Sequence, residues 1–202
     1  MKYLFTTLLI LISISTFGQN NLEHIAEIEA YQTSENKKFS TAETTILTQK
    51  DFNKFKSLNF YPIDLTYRVE ATFVRTPDEK PFLMPTTTER LPEYVKYGEA
   101  HFKINGKQLK LNLYKSTKPY SEPGYEDYLF LPFTDLTSGD GSYGGGRFLD
   151  ARIPEGNTIL LDFNKAYNPY CAYNSMYSCP IPPKENDLDI RIEAGVKDYK
   201  KY

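Results

Sequence analysis

The stretch YGEAHFKINGKQLKLNLY, residues 97–114, decides the fold. Apolar residues alternate with polar ones before Asn105-Gly106, at Ala100, Phe102 and Ile104, and the alternation resumes after it. A period of two predicts half-buried β-strands, because successive side chains of a strand point to opposite faces. Asn-Gly tolerates the positive φ angles that a two-residue hairpin turn requires. The segment therefore predicts an antiparallel β-hairpin.

Other segments with strand character lie on both sides of the hairpin. In residues 65–73 every second residue is apolar, from Leu65 to Phe73. Pro132 places the end of another apolar strand at a sheet edge or a bulge, because proline cannot donate a ladder hydrogen bond. The remaining predicted strands are 128–133, 148–150, 158–163 and 188–194. Together they predict a mainly β fold with α+β decoration, an antiparallel barrel or sandwich with one or two N-terminal helices.

The helices are predicted ahead of the strands. Residues 21–38 carry apolar side chains at helical spacing, which indicates an amphipathic helix. A second helix is predicted at residues 50–58, capped by Thr48. We therefore divide the chain into an N-terminal helical segment, residues 19–60, and a β domain, residues 61–202.

Residues 1–18 have the pattern of a secretory signal peptide. Lys2 precedes an apolar run at residues 3–14, and small residues follow at Thr16 and Gly18. A membrane anchor is the alternative, but the run is shorter than the roughly 20 residues that a spanning helix needs. We expect cleavage near Gly18, export to the periplasm or the cell exterior, and no membrane span after cleavage.

Composition restricts the function classes. The 202 residues include 24 Lys and Arg against 26 Asp and Glu, which gives a net charge of −2. A nucleic-acid binder would normally carry a basic excess, so we expect no nucleic-acid partner. Charged residues make up 25% of the chain, and its 17 Tyr and 13 Phe give it enough large apolar surface for a packed core. These numbers predict a soluble, tyrosine-rich globular protein.

Three motifs in the second half of the chain are unusually dense in Gly, Asn, Pro and Tyr. They are DLTSGDGSYGGGR at residues 135–147, LDFNKAYNPYCAY at 161–173 and CPIPPKEN at 179–186. In these motifs the chain resembles the uncharacterised bacterial proteins grouped as domain of unknown function 1684, over roughly residues 64–197. Where that family usually ends in Ala-Gly-Glu-Lys, this chain has AGVK at 194–197, which argues against a role for a carboxylate there.

The candidate ligand-binding residues lie within these motifs and are Arg147, Asp162, Asn164, Asn168 and Glu185. The glycines before Arg147 can expose backbone N–H groups that, with its guanidinium, would cradle an anion. The structural alternative is a tight loop in which Arg147 pairs with Asp135, Asp140 or Asp150.

Two of the candidates are also the catalytic candidates. Asp162 follows an apolar run and Glu185 lies in the last motif, and the two can act as general acid and base if burial separates their pKa values. The alternative is that the Asp and Asn residues here form turns, as Asn168-Pro169 suggests. The tyrosines between residues 167 and 177 suit stacking on sugars or peptides, and equally the rim of a small barrel.

Cys171 and Cys179 are the only cysteines, and in an exported chain their pairing predicts a disulfide. Only His24 and His101 accompany them in the whole chain, and neither is near in sequence, so we expect no metal site and no cofactor. The leading hypothesis is an exported binding module for a small polar or carbohydrate-like ligand. The alternatives are a hydrolase-type enzyme with a carboxylate pair and a structural envelope-associated protein without a small-molecule site.

Overall fold

The computed structural model describes residues 2–120 and 123–199, with side chains from Asn20 onward. The predicted cleavage site near Gly18 lies outside the described side chains, and the last three residues of the expected 61–202 domain lie outside the described chain.

Two α-helices precede the sheet. Helix α1 spans Lys2–Ser40 and α2 spans Gln49–Phe52. Thr48 caps α2 as expected, since its Oγ1 accepts from the Asp51 backbone N–H at 3.2 Å and donates to Asp51 Oδ2 at 2.7 Å. The helix ends well before Leu58, the predicted end. Four short 3-10 helices occur later, at Leu65–Tyr67, Phe163–Lys165, Tyr170–Ala172 and Lys184–Asn186.

Eight strands of the described chain form a curled antiparallel sheet that resembles half of a barrel, which confirms the mainly β prediction. They are β1 Arg68–Arg75, β2 Phe82–Leu83, β3 Glu93–Ile104, β4 Lys107–Ser116, β5 Tyr128–Asp135, β6 Arg147–Arg152, β7 Thr158–Asp162 and β8 Asp187–Leu188. Their order is β6-β5-β4-β3-β1-β7; β2 pairs with β3, and β8 pairs with β5 in parallel.

The hairpin of β3 and β4 forms at the predicted place. Ile104 pairs with Lys107, and Asn105 and Gly106 between them have φ angles of 50° and 78°. Both angles lie in the left-handed region, which asparagine and glycine tolerate better than other residues. The turn chemistry therefore fixes the register of the longest pairing in the sheet.

The main core fills the concave side of the curl. Alternate residues of the strands are buried there, among them Phe102, Leu111 and Leu113. A second apolar cluster lies under the end of α1 and includes Phe39 and Tyr173, whose rings are 4.7 Å apart. The second cluster joins the helix to the C-terminal half of the chain.

The Asn186 side chain completes the sheet where β4 and β5 diverge. These strands share a single residue pair, Tyr114 with Phe130. Beyond it, Asn186 Oδ1 accepts from the Asn112 backbone N–H at 2.8 Å, and Asn186 Nδ2 donates to the carbonyls of Asn112 at 2.9 Å and Pro132 at 2.7 Å. Pro132 lies inside β5 rather than at its end. On the side of β5 that faces β4, the Asn186 side chain makes the hydrogen bond that a neighbouring strand would otherwise make.

The strand predicted at residues 188–194 is present only as Asp187–Leu188. The chain beyond it is held by a side chain instead of a neighbouring strand. Arg147 donates to the carbonyl oxygens of Ile192, at 2.8 Å, and Ala194. The apolar pattern of this segment reflects burial, which a strand and an irregular buried segment share.

We predict that Asn186→Ala lowers the free energy of unfolding by about 3 kcal/mol, because it leaves buried backbone groups of β4 and β5 without partners. Denaturant unfolding measures the effect. Asn157→Ala is the matched control, since Asn157 is exposed and we expect a change within about 0.5 kcal/mol. Equal stability of the two variants would contradict the bridging role of Asn186.

Candidate functional site

Arg147 lies in the protein interior. Its guanidinium Nη2 is 3.2 Å from Asp135 Oδ1, and neither side chain is accessible to solvent. Burial lowers the Arg147 pKa, and the Asp135 carboxylate opposes that shift. The sequence left two interpretations of the glycine-rich loop, an anion cradle and a tight loop in which Arg147 forms an ion pair. The structure shows the second, with Arg147 paired to Asp135.

Asp162 and Asn164 form a second buried group at the end of β7. Asp162 Oδ2 is 3.0 Å from His24 Nε2 on α1, and Asp162 Oδ1 accepts from the Asn164 backbone N–H and Nδ2. Asn164 also bonds both backbone groups of Asp64, at 3.0 and 2.9 Å. His24 Nδ1 in turn lies 3.1 Å from Glu27. These contacts attach α1 to the edge strand of the sheet.

Glu185 lies elsewhere. It is exposed and lines a shallow groove with Lys96 and Tyr114. Asp162 borders a different groove, beside His24. The structure therefore does not bring the two expected catalytic carboxylates into a common cavity.

A cleft of about 310 Å³ lies between α1 and the sheet, and we call it the tyrosine cleft. Of the five predicted residues, Asn168 lines it. Seven of the lining residues are tyrosines, contributed by α1, the segment before β5, β5 itself and the segment after β7. They are Tyr31, Tyr120, Tyr125, Tyr128, Tyr167, Tyr170 and Tyr173.

Asp150 in β6 is the polar centre of the cleft. Its Oδ1 accepts from the hydroxyls of Tyr128, at 2.7 Å, and Tyr167, at 2.6 Å. Tyr167 reaches this position because its backbone pairs with Phe148, two residues before Asp150. Burial and then the Asp150 charge raise the pKa of Tyr128, so the phenol stays neutral. Within the described chain, no group donates a hydrogen bond to Asp150 Oδ2.

Asn168 is 1% exposed. Its Nδ2 donates to the Lys197 carbonyl at 3.0 Å, which fixes the orientation of the amide. Its Oδ1 has no hydrogen-bond partner among the described residues. A buried acceptor without a partner is uncommon and needs either water or a ligand to complete it.

The outer end of the cleft is aromatic. The rings of Tyr120, Tyr125 and Tyr128 form a cluster with centroids 5.2–5.7 Å apart. A smaller groove of about 210 Å³ adjoins the cleft and shares Tyr31, Asp150 and Tyr167 with it. Asp162 lies in this groove, so two of the five predicted residues border the two adjoining spaces, and Arg147, Asn164 and Glu185 do not.

Sequence reasoning missed Asp150 and the tyrosines from outside residues 167–177. Asp150 follows the apolar pair Phe148-Leu149, as Asp162 follows its own apolar run, and this similarity is the sequence signal by which Asp150 could have been found. The tyrosines of α1 and β5 carry no local signal, because only the fold brings them to Asp150.

The expected disulfide is not present, since Cys171 and Cys179 are both free. Cys179 is held by the segment at Thr87 through two hydrogen bonds, from Thr87 N–H to the Cys179 carbonyl and from Cys179 N–H to Thr87 Oγ1. The Cys171 backbone N–H donates to Cys179 Sγ at 3.1 Å. The two residues are therefore neighbours joined by hydrogen bonds.

The fold and the cleft define a class of small, mainly β protein in which a helix covers one end of a half-barrel sheet. The chain belongs to the family described as Protein of unknown function (DUF1684), whose model matches residues 53–197. A similar solved structure is the solution NMR structure of the uncharacterized protein from gene locus rrnAC0354 of Haloarcula marismortui, at 29% identity and a TM-score of 0.68. The similarity covers 89% of this chain and 96% of that one. No curated protein matches the chain.

None of the helices in the described residues combines the length and apolar character that a membrane crossing requires. Those residues also contain no group of three or more His, Cys, Asp or Glu side chains arranged to hold a metal ion.

We predict that Cys171 reacts with iodoacetamide before Cys179. Hydrogen bonding to Cys179, and then to Tyr143 and Thr87, lowers the Cys171 pKa, and the residue is half-buried, whereas Cys179 is buried with a raised pKa. Because the thiolate is the reactive form, Cys171 should alkylate at a lower pH than an ordinary cysteine. Peptide mass mapping after brief labelling of the folded protein measures both sites. Equal labelling, or a disulfide-linked peptide in the starting material, would contradict this account.

Proposed function

We propose that this protein binds a small polar or carbohydrate-like ligand in the tyrosine cleft. The observation that carries the proposal is the combination of aromatic side chains around a cavity of about 310 Å³ with a buried Asn168 Oδ1 that has no partner among the described residues and an exposed Asp150 carboxylate whose Oδ2 accepts no hydrogen bond from them. Small-molecule sites are concave and combine apolar walls with a few placed polar groups, and this cleft lies at the lower end of their usual size range.

The cleft suits a ring-shaped polar ligand. Tyrosine rings offer apolar faces and hydroxyls at the same site, so they can stack on a sugar face while neighbouring groups bond its hydroxyls. Asp150 and Asn168 supply acceptors for such hydroxyls. This combination favours binding over a site whose purpose is packing alone, because packing needs no free acceptors.

The geometry favours binding over hydrolysis by the expected carboxylate pair. Asp162 is 8% exposed and bonded to His24 and Asn164, and Glu185 lines another groove. A general acid and base must both reach one scissile bond. We therefore assign Asp162 to holding α1 and not to chemistry.

We predict that Tyr120→Ala weakens ligand binding about tenfold, because it removes one stacking surface at the cleft entrance, worth on the order of 1 kcal/mol. A panel of sugars, polyols, amines and small acids, measured by thermal shift and then by calorimetry, identifies the ligand class. Tyr97→Ala is the control, since Tyr97 packs on Phe73 away from the cleft. If no compound of the panel binds, or both variants weaken binding equally, the proposal fails.

We also propose that the protein is exported after signal-peptide cleavage near Gly18. The support is the sequence pattern of residues 1–18. N-terminal sequencing of protein from the periplasm or culture medium should read Gln19-Asn20-Asn21. Recovery of the full-length chain in the cytoplasm, with none in either fraction, would contradict export.

A further inference from the structure

The tyrosine cleft presents hydrogen-bond acceptors whose partners are missing. Among the described residues, Asp150 Oδ2 and Asn168 Oδ1 take no hydrogen bond. Asn168 is almost fully buried and lines the cleft, whereas Asp150 is exposed. A ligand that completes this site must bring donors.

Both hydroxyls that contact Asp150, and the Tyr31 hydroxyl, already donate within the protein. The Tyr128 and Tyr167 hydroxyls donate to Asp150 Oδ1, and the Tyr31 hydroxyl donates to the Lys165 carbonyl at 3.0 Å. Around Asp150 the cleft therefore matches a donor and not an acceptor such as a carboxylate or a phosphate.

The charged side chains of the cleft also favour a ligand that donates hydrogen bonds. Three charged side chains line it, Glu35, Lys38 and Asp150, which gives a net charge of −1. Lys38 is engaged within the protein, since it donates to the Tyr170 hydroxyl at 3.0 Å and lies 4.0 Å from Glu35. Asp150 has no ion pair in the described chain. Lys38 and Arg152 attract its charge at longer range, but neither contacts it, so the exposed Asp150 Oδ2 is open to a ligand.

The tyrosine rings that form the walls of the cleft also favour a cationic ligand. The faces of tyrosine rings carry negative potential and attract cations within about 6 Å of the ring centre. Lys38 already uses this attraction, with its ammonium 5.3 Å from the Tyr170 ring. Arg152 uses the Tyr125 ring in the same way, at 5.2 Å, and the other tyrosines of the cleft offer this surface to a bound cation.

We infer that the ligand of the tyrosine cleft carries a protonated amine, whose N–H groups donate to Asp150 and Asn168 while tyrosine rings surround its carbon skeleton. This inference rests on the proposed binding function and narrows its ligand class. An amino sugar satisfies both the size and the charge of the site, and a short alkyl diamine satisfies the charge alone.

Matched pairs of probes test the charge requirement on the full chain. Calorimetry compares glucosamine with glucose and putrescine with butanediol, at a pH where the amines are protonated. We expect at least one amine to bind about tenfold or more tightly than its neutral counterpart, because hydrogen bonds to an ionised partner are roughly twice as strong as neutral ones. Added salt should weaken amine binding, since it screens the attraction to Asp150.

Asp150→Asn locates the interaction. The substitution keeps the shape and an acceptor for the tyrosine hydroxyls but removes the charge, so the amine should lose about tenfold in affinity or more. Asp189→Asn is the matched control, because Asp189 is an exposed carboxylate that pairs with Lys107 outside the cleft. If Asp150→Asn folds poorly, the salt dependence of amine binding to the wild-type protein still tests whether the charge contributes to binding.

The outcomes separate the two proposals. Preferential amine binding that is lost in Asp150→Asn supports the inference. If at least one probe binds but neither amine binds more tightly than its neutral counterpart, or if Asp150→Asn binds the amine like wild type, the inference is overturned while the binding function stands. If neither these probes nor the wider panel bind, both proposals are overturned.

Discussion

The contact between His24 and Asp162 is the interaction on which the candidate site depends. It joins α1 to the end of β7 across 138 residues of sequence, and both side chains are more than nine-tenths buried. Removal of one partner leaves a buried polar atom without its hydrogen bond, which costs more than the loss of an exposed pair. Further along α1, Tyr31, Glu35 and Lys38 form one wall of the tyrosine cleft. The wall exists because the helix is held at this point.

A second buried pair fixes the opposite side. Arg147 and Asp135 hold the irregular C-terminal segment through the carbonyls of Ile192 and Ala194. The same segment supplies the Lys197 carbonyl that orients Asn168. Both walls thus depend on buried polar contacts outside the sheet ladder.

The sequence predicted the parts of the fold that local rules determine. Alternation located the strands, and Asn105-Gly106 located the hairpin turn. Those rules could not predict contacts between residues that are distant in sequence. Asn186 replaces ladder hydrogen bonds beside Pro132, and Arg147 binds carbonyls about 45 residues away. The tyrosines around Asp150 come from four separate segments. The cysteines are a further case in which local sequence rules did not predict the contacts. Their spacing allows a disulfide, but pairing with Thr87 fixes Cys179 without one.

The central claim is that α1, docked through His24, forms part of the ligand site. Hydrogen exchange of residues 20–40, measured together with glucosamine binding in His24→Ala, tests it most directly, with Glu29→Ala on the exposed face of α1 as control. The account predicts faster exchange in α1 and weaker binding in His24→Ala, with exchange in the sheet unchanged, because opening of the helix is a local event. Unchanged helix protection and unchanged binding in His24→Ala would contradict it.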